Sequence, residues 1–249
     1  MDVRAALITE TAALGDLLRD ADLTTPVPTC PGWTLKQLFR HVGRGNRWAA
    51  QIVAERLDTE LDPREVRDGK PPEGWDAAVD WLNSSAQLLL DSVDDVGADT
   101  EVWTFLGPRP AQWWVRRRLH EATVHRADAA IALGTEFTLA PDVAADGIGE
   151  WLERVAVEVD AQSSPLDPGT TLHLHATDDG LGDAGEWTLA GTDVGITVSR
   201  EHGKGDAAVR GDAQNLLLAV VRRQTAAEGG LEIFGDTAVW DGWLDRTPF

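Results

Sequence analysis

Residues 116–130 read RRRLHEATVHRADAA, and the way this run is read decides the fold. Three arginines lead into two histidines and a glutamate, and the run ends in alanines. It is expected to form the middle of a helix, and a helix in a globular protein buries one face. The face that carries Glu121 and His125 is a poor one to bury unless something binds there. An α-helix turns once every 3.6 residues, so residues four apart share a face, offset by about 40° and roughly 6 Å apart. Glu121 and His125 satisfy this spacing. His120 and His125 are five apart and lie about 140° apart around the axis, so they cannot share one ion. Glu121 is therefore the relevant neighbour of His125, and the pair offers one carboxylate oxygen and one imidazole nitrogen to a metal.

Two such ligands hold zinc poorly, and the best third is His41 in WTLKQLFRHVGRGNRW, residues 33–48. Its apolar companions Leu38 and Val42 suggest a partly inward position. A helical bundle can bring His41 against Glu121 and His125. Three protein ligands leave an open coordination position, as catalytic zinc sites do. Spacing alone favours a plainer alternative, in which Glu121 and His125 form a surface ion-pair cluster with Arg117 and Arg118 and His41 is a core histidine. A rival site is His173-x-His175, since residues two apart on a strand face the same way. No carboxylate is visible on that strand face, and an exposed pair is expected there.

Outward from this run, the first 160 residues read as helices. Val3, Leu7, Leu14, Leu17 and Leu18 recur at helical spacing. TTPVPTCPG, residues 24–32, then breaks the chain. Thr34 and Gln37 match a capping box that opens a second helix running to about residue 56. A third helix is expected over 75–93. A fourth is expected from Pro110 to Leu133, with Gly134 as its cap. A fifth is expected over 142–160. Beyond the linker QSSPLDPGT the period changes. TLHLHAT, GEWTLAG and GITVSRE alternate as strands do. AAVRGDAQNLLLAVVRRQ reads as strand, turn and helix, LEIFGD as a strand and DTAVWDGWL as a helix. The expected fold class is α+β: an N-terminal four-helix bundle over residues 1–160, then a smaller α+β domain over 165–249. Most of the eleven tryptophans are expected in the core.

Composition excludes several partners. The 22 basic and 42 acidic residues give a net charge of −20. Nucleic acid and anionic membranes attract basic surfaces, so neither is expected as a partner. No apolar run approaches the ~20 residues of a membrane span, and residues 1–10 lack the pattern of an export signal. A cytoplasmic protein, monomer or homodimer, is expected. The single cysteine, Cys30, rules out an internal disulfide framework and reads as a small buried residue at a turn rather than a nucleophile.

TCPGWTLKQLFRHVGRGNRWA and HEATVHRADAA resemble the second-helix and fourth-helix signatures of the mycothiol-dependent maleylpyruvate isomerase family, whose N-terminal domain is DinB-like. AVRGDAQNLLLAVVRRQ with LEIFGD is similar to the family's sterol-carrier-like second domain. The resemblance covers nearly the whole chain. It departs from many members at Gln37, where they carry an acidic residue, and at Ala127, where they carry an aromatic one. It implies that His41, Glu121 and His125 bind a divalent metal, zinc, and that mycothiol is a cosubstrate. It also implies a small electrophilic substrate. A metal holds a thiol as the nucleophilic thiolate at neutral pH. Addition of that thiolate to a conjugated cis double bond leaves a single bond, which rotates and eliminates to the trans isomer. Retention of the sulfur would instead make the protein an S-transferase. A carboxylated substrate calls for cations, and the candidates are Arg118 and Arg223. The alternatives are a zinc hydrolase that uses no thiol and a non-catalytic, metal-stabilised ligand-binding protein.

Overall fold

In the computed structural model, which describes residues 1–160 and 162–247, the chain divides into two units, Met1–Phe137 and Thr138–Phe249. The first holds four helices: α1 (Val3–Leu17), α2 (Leu35–Ala54), α3 (Trp75–Val96) and α4 (Gln112–Leu133). Asp2 opens α1 by accepting from the amides of Arg4 and Ala5 at 3.0 and 3.2 Å. The expected box opens α2, where the Thr34 amide donates to Gln37 Oε1 at 2.8 Å. Leu35, Leu38, Phe39 and Val42 form the buried stripe of α2 and pack with Trp81 and Leu82 of α3. α1 packs chiefly against α4, and α2 chiefly against α3.

The fourth helix begins two residues later than expected. Arg109–Pro110 (β2) pairs antiparallel with Glu101–Val102 (β1), and Pro110 stands opposite Glu101. A proline has no amide to contribute, which suits a short edge ladder. The next two amides, of Ala111 and Gln112, donate to the carbonyls of Thr100 and Ala98. These bonds hold the chain out of the helix until Gln112. At the other end, Gly134 (φ +64°) closes α4 as expected.

α4 does not bury a single face. Trp114, Leu119 and Ala122 are buried, and so are Arg117, Arg118, His120, Thr123, His125 and Asp128. The helix is enclosed nearly all round, so each inward polar group needs a partner from a neighbouring element. One such match is Arg126, whose Nε and Nη2 donate to the two carboxylate oxygens of Glu10 on α1 at 2.8 and 3.2 Å.

In the second unit, α5 (Pro141–Glu158) packs on α6 (Ala213–Val220) and on β5 (Gly195–Ser199). The helical reading of this segment holds, and its chief packing partners are these elements of the second unit. Its sequence shows a helix, whereas its partners lie more than 35 residues downstream. The sheet has the order β5-β4-β3-β6-β7. Its other strands are β3 (Thr171–Ala176), β4 (Glu186–Thr192), β6 (Ala207–Gly211) and β7 (Glu232–Gly235), and α7 (Thr237–Arg246) ends the unit. β3 runs parallel to β6, and the remaining pairs are antiparallel. Leu172 and Leu174 pair with Leu189 and Trp187 on one buried face. His173, His175, Thr188 and Glu186 share the other face by alternation. No helix among the described residues is long and apolar enough to cross a membrane.

Candidate metal centre

α2 carries His41 to α4, and the three residues singled out by spacing converge. His41 Nε2 lies 2.9 Å from Glu121 Oε1, and His125 Nε2 lies 3.6 Å from the same oxygen. The ligand atoms of all three lie within 4.8 Å of one another. His120 is buried on α4 but outside this group, as its helical phase requires. The ion-pair alternative describes part of the arrangement in a different setting. Arg117 Nη2 donates to Glu121 Oε2 at 2.6 Å, with the guanidinium buried rather than on the surface.

The rings are held from outside the cluster. Trp33 stacks on His125 at a centroid distance of 5.8 Å and lies 4.8 Å from the His41 ring. His125 Nδ1 donates to Asp128 Oδ2 at 2.8 Å, which turns Nε2 toward Glu121. Asp128 is fully buried and also accepts from Thr29 Oγ1 at 2.6 Å and Cys30 Sγ at 3.3 Å. The Pro-rich turn before α2 is therefore a clasp on α4, and Cys30 acts there as a small donor. Asp128 stands three residues after His125, a spacing that could have found it in the sequence. Trp33 carries no such signal, because its position depends on how the turn folds.

The charges are consistent with ligands prepared for a cation. Burial would raise the Glu121 pKa, but Arg117 and Arg118 hold it well below the usual carboxylate range, so it is ionised. Burial lowers the His41 pKa and favours the neutral ring. Burial would also lower that of His125, yet its bonds to Asp128, Cys30 and Glu121 push it up to about 10. Cys30, His125 and Asp128 form a second possible donor group through the other ring nitrogen. His41 and Glu121 line a cavity of about 270 Å³, which Asp128 does not.

Trp48, Phe105 and Trp114 also line that cavity, with Arg44, Arg117 and Arg118. Trp114 is held by its Nε1–H to the Trp103 carbonyl at 3.0 Å and meets Trp48 edge-on at 5.1 Å. Arg118 is buried. Its Nε donates to Asn46 Oδ1 at 3.0 Å, its Nη2 donates to the Val42 carbonyl at 3.3 Å, and its Nη1 lies 3.7 Å from Glu121 Oε2. Burial lowers its pKa to about 10, which still leaves it charged at neutral pH. Its space comes from Gly45, where a Cβ would strike the guanidinium. Arg223 follows α6 in the second unit, where its amide donates to the Leu218 carbonyl and its Nη1 to the Val221 carbonyl.

Residues 4–130 match the mycothiol maleylpyruvate isomerase N-terminal domain, and residues 142–242 match the MDMPI C-terminal domain. The chain belongs to the mycothiol-dependent maleylpyruvate isomerase family. This is a family of enzymes. No curated protein matches the chain. Among solved structures, the crystal structure of the mycothiol-dependent maleylpyruvate isomerase is similar over 90% of this chain and 89% of its own, with a TM-score of 0.59 and 15% identity. A histidine-to-alanine mutant of the mycothiol-dependent maleylpyruvate isomerase is similar over the same shares, with a TM-score of 0.56 and 15% identity. At that identity the likeness is one of fold.

The hydrogen bond from His125 to Asp128 supplies a prediction. Removing the partner that orients a metal-binding histidine typically costs 10–100-fold in affinity. If this group holds zinc, Asp128→Asn is therefore expected to weaken its binding by about that factor. A competition titration against a chromophoric chelator measures it. Unchanged affinity would mean that Asp128 does not orient the ring.

Proposed function

We propose that this protein is a thiol-dependent isomerase of a small carboxylated electrophile, with mycothiol as the thiol and zinc bound by His41, Glu121 and His125. The observation that carries the reading is the meeting of these three side chains, two of which, His41 and Glu121, line a cavity whose walls also hold aromatic and cationic residues. Two imidazole nitrogens and one carboxylate suit zinc. When bound, such an ion favours the thiolate form of a sulfur ligand near neutral pH.

The chain's own residues supply orientation and shelter. Arg118, fixed by Asn46 and the Val42 carbonyl, places a permanent positive charge on the cavity wall. Arg44 lines the same wall and has no hydrogen bond or ion pair to another described residue, so its guanidinium is available for a carboxylate. Arg223 enters the proposal through the family resemblance alone. Trp48, Phe105 and Trp114 offer apolar surface to a conjugated chain and exclude water from it. Thiolate adds to one carbon of the cis double bond, and the electron pair is taken up by the conjugated carbonyl. The remaining single bond rotates. Return of the electron pair expels the thiolate and leaves the trans isomer, so no thiol is consumed.

The test uses the zinc-loaded protein and a cis-configured unsaturated dicarboxylate, with and without mycothiol. Trans product is expected only with thiol, and thiol in catalytic amount should suffice. The cobalt-substituted protein should show a sulfur-to-metal charge-transfer band when mycothiol is added. A thioether formed one-for-one would make the protein an S-transferase instead. Trans product without thiol would make it a thiol-independent isomerase, and a water-cleaved product without thiol would make it a hydrolase. Neither turnover nor a charge-transfer band would leave it a ligand-binding protein.

A further inference from the structure

The second unit contains a group of histidines that the reading above leaves unused. Strand spacing alone predicts His173 and His175 as an exposed pair without a carboxylate. In the structure His173 is buried, and strand pairing places Glu186 directly opposite His175. Glu186 Oε2 lies 3.1 Å from His173 Nε2 and 2.7 Å from His202 Nδ1, and its Oε1 lies 3.7 Å from His175 Nε2. The three imidazole rings stand 5.6–6.4 Å apart between centroids.

His173 is the decisive residue. Its Nδ1 lies 3.2 Å from Thr188 Oγ1, and the single hydroxyl proton of Thr188 is already given to the Glu201 carbonyl at 3.1 Å. Thr188 must therefore accept, and His173 Nδ1 must carry the proton. A neutral ring then presents a bare lone pair at Nε2. That nitrogen is buried and makes no hydrogen bond, and it faces an anionic oxygen 3.1 Å away. Two acceptors set face to face in a buried place need a positive charge between them.

We propose that His173, His175, His202 and Glu186 form a second divalent-metal site, for zinc or a similar first-row ion, distinct from the site in the bundle. In a tetrahedral zinc site with bonds of about 2.0–2.1 Å, neighbouring ligand atoms lie about 3.3 Å apart. The contacts to Glu186 of 2.7, 3.1 and 3.7 Å bracket that value. The ligand atoms of His173, Glu186 and His202 lie within 4.8 Å of one another, and His175 Nε2, 3.7 Å from the other Glu186 oxygen, would close in on binding to complete a four-ligand set of the structural kind. The Thr188 bond that fixes the His173 tautomer is the kind of outer support that metal-binding histidines use. His202 reaches the site because the segment after β5 folds back closely over the sheet: a Cβ on Gly203 would come 2.7 Å from Thr188 Oγ1. Bound metal would tie this segment to β3 and β4 and stabilise the second unit.

The experiment counts zinc retained after gel filtration in four full-length proteins: wild type, His125→Ala, His175→Ala/His202→Ala, and the triple variant. The proposal expects the His175/His202 change to remove one equivalent in both backgrounds. It also expects cobalt-loaded His125→Ala to show the intense visible bands of a tetrahedral N/O site. This result does not depend on zinc at His125, whose failure would instead appear as equal counts in wild type and His125→Ala. The His202 side chain is 77% exposed, so its removal should not unfold the chain, and far-ultraviolet circular dichroism checks this. If the double variant misfolds, His202→Asn alone replaces it and is expected to weaken retention of that equivalent. A zinc count untouched by these changes in folded protein, in either background, overturns the proposal.

Discussion

His125→Ala is expected to yield a folded protein that retains no metal in the bundle and has no catalytic activity. A catalytic site with three protein ligands draws its affinity from few bonds, so losing one should release the ion. The loss should be complete because His125 also connects the site to its support. Its Nδ1 is bound to Asp128, and its ring stacks on Trp33. The bundle keeps its apolar stripes on α1, α2 and α3, so helix content should persist. His120→Ala is the control. It removes an equally buried ring from the same helix, so it should cost stability, yet the ligand group stays whole. Metal content by plasma emission spectroscopy, with far-ultraviolet circular dichroism, separates the two. Unchanged zinc retention in His125→Ala, or loss of bundle zinc in a folded His120→Ala, would show that the wrong face of α4 was chosen.

Glu10→Ala should lower the unfolding free energy by roughly 3–5 kcal/mol, because it leaves a buried guanidinium without its carboxylate. Glu10 and Arg126 join α1 to α4 through two bonds, and both side chains are largely buried. The Phe137 ring, 4.3 Å from the Arg126 guanidinium carbon, offsets part of the loss. The paired change Glu10→Leu with Arg126→Met should cost much less, since apolar replacement removes both desolvation penalties. Urea unfolding followed by tryptophan fluorescence measures both. A single substitution that costs under about 1 kcal/mol would place this pair among exposed ion pairs.

The parts of the structure that were legible in the sequence are those with a local cause. Leu35, Leu38 and Val42 mark the buried side of α2 at helical spacing, and Thr34 with Gln37 marks its start. The alternation of TLHLHAT and GEWTLAG gave two strands of the sheet to within a residue or so. Glu121 and His125 could be paired by helical phase, because that geometry lies within one element. What depends on distant contacts was hidden. α4 shows no clean apolar face because Arg117 and Arg118 are buried, and Arg126 half-buried, against partners up to 116 residues away. Pro110 looks like a helix start until Glu101 is known to lie across from it. Glu186 becomes a partner for the strand histidines only once the register of β3 and β4 is fixed. The assignment of α5 to its unit rests on α6, far along the chain.

Gly45 shows how the cavity can be altered without touching a charged residue. The Arg118 guanidinium occupies the space that a side chain at position 45 would fill. A change there to alanine or anything larger would push the cation off Asn46 and the Val42 carbonyl and shift the positive potential within the cavity. With Arg118 as the proposed substrate contact, sequence drift at this inconspicuous position is a route to new substrate preference, and a chain that retained every histidine and arginine could still have lost the old one.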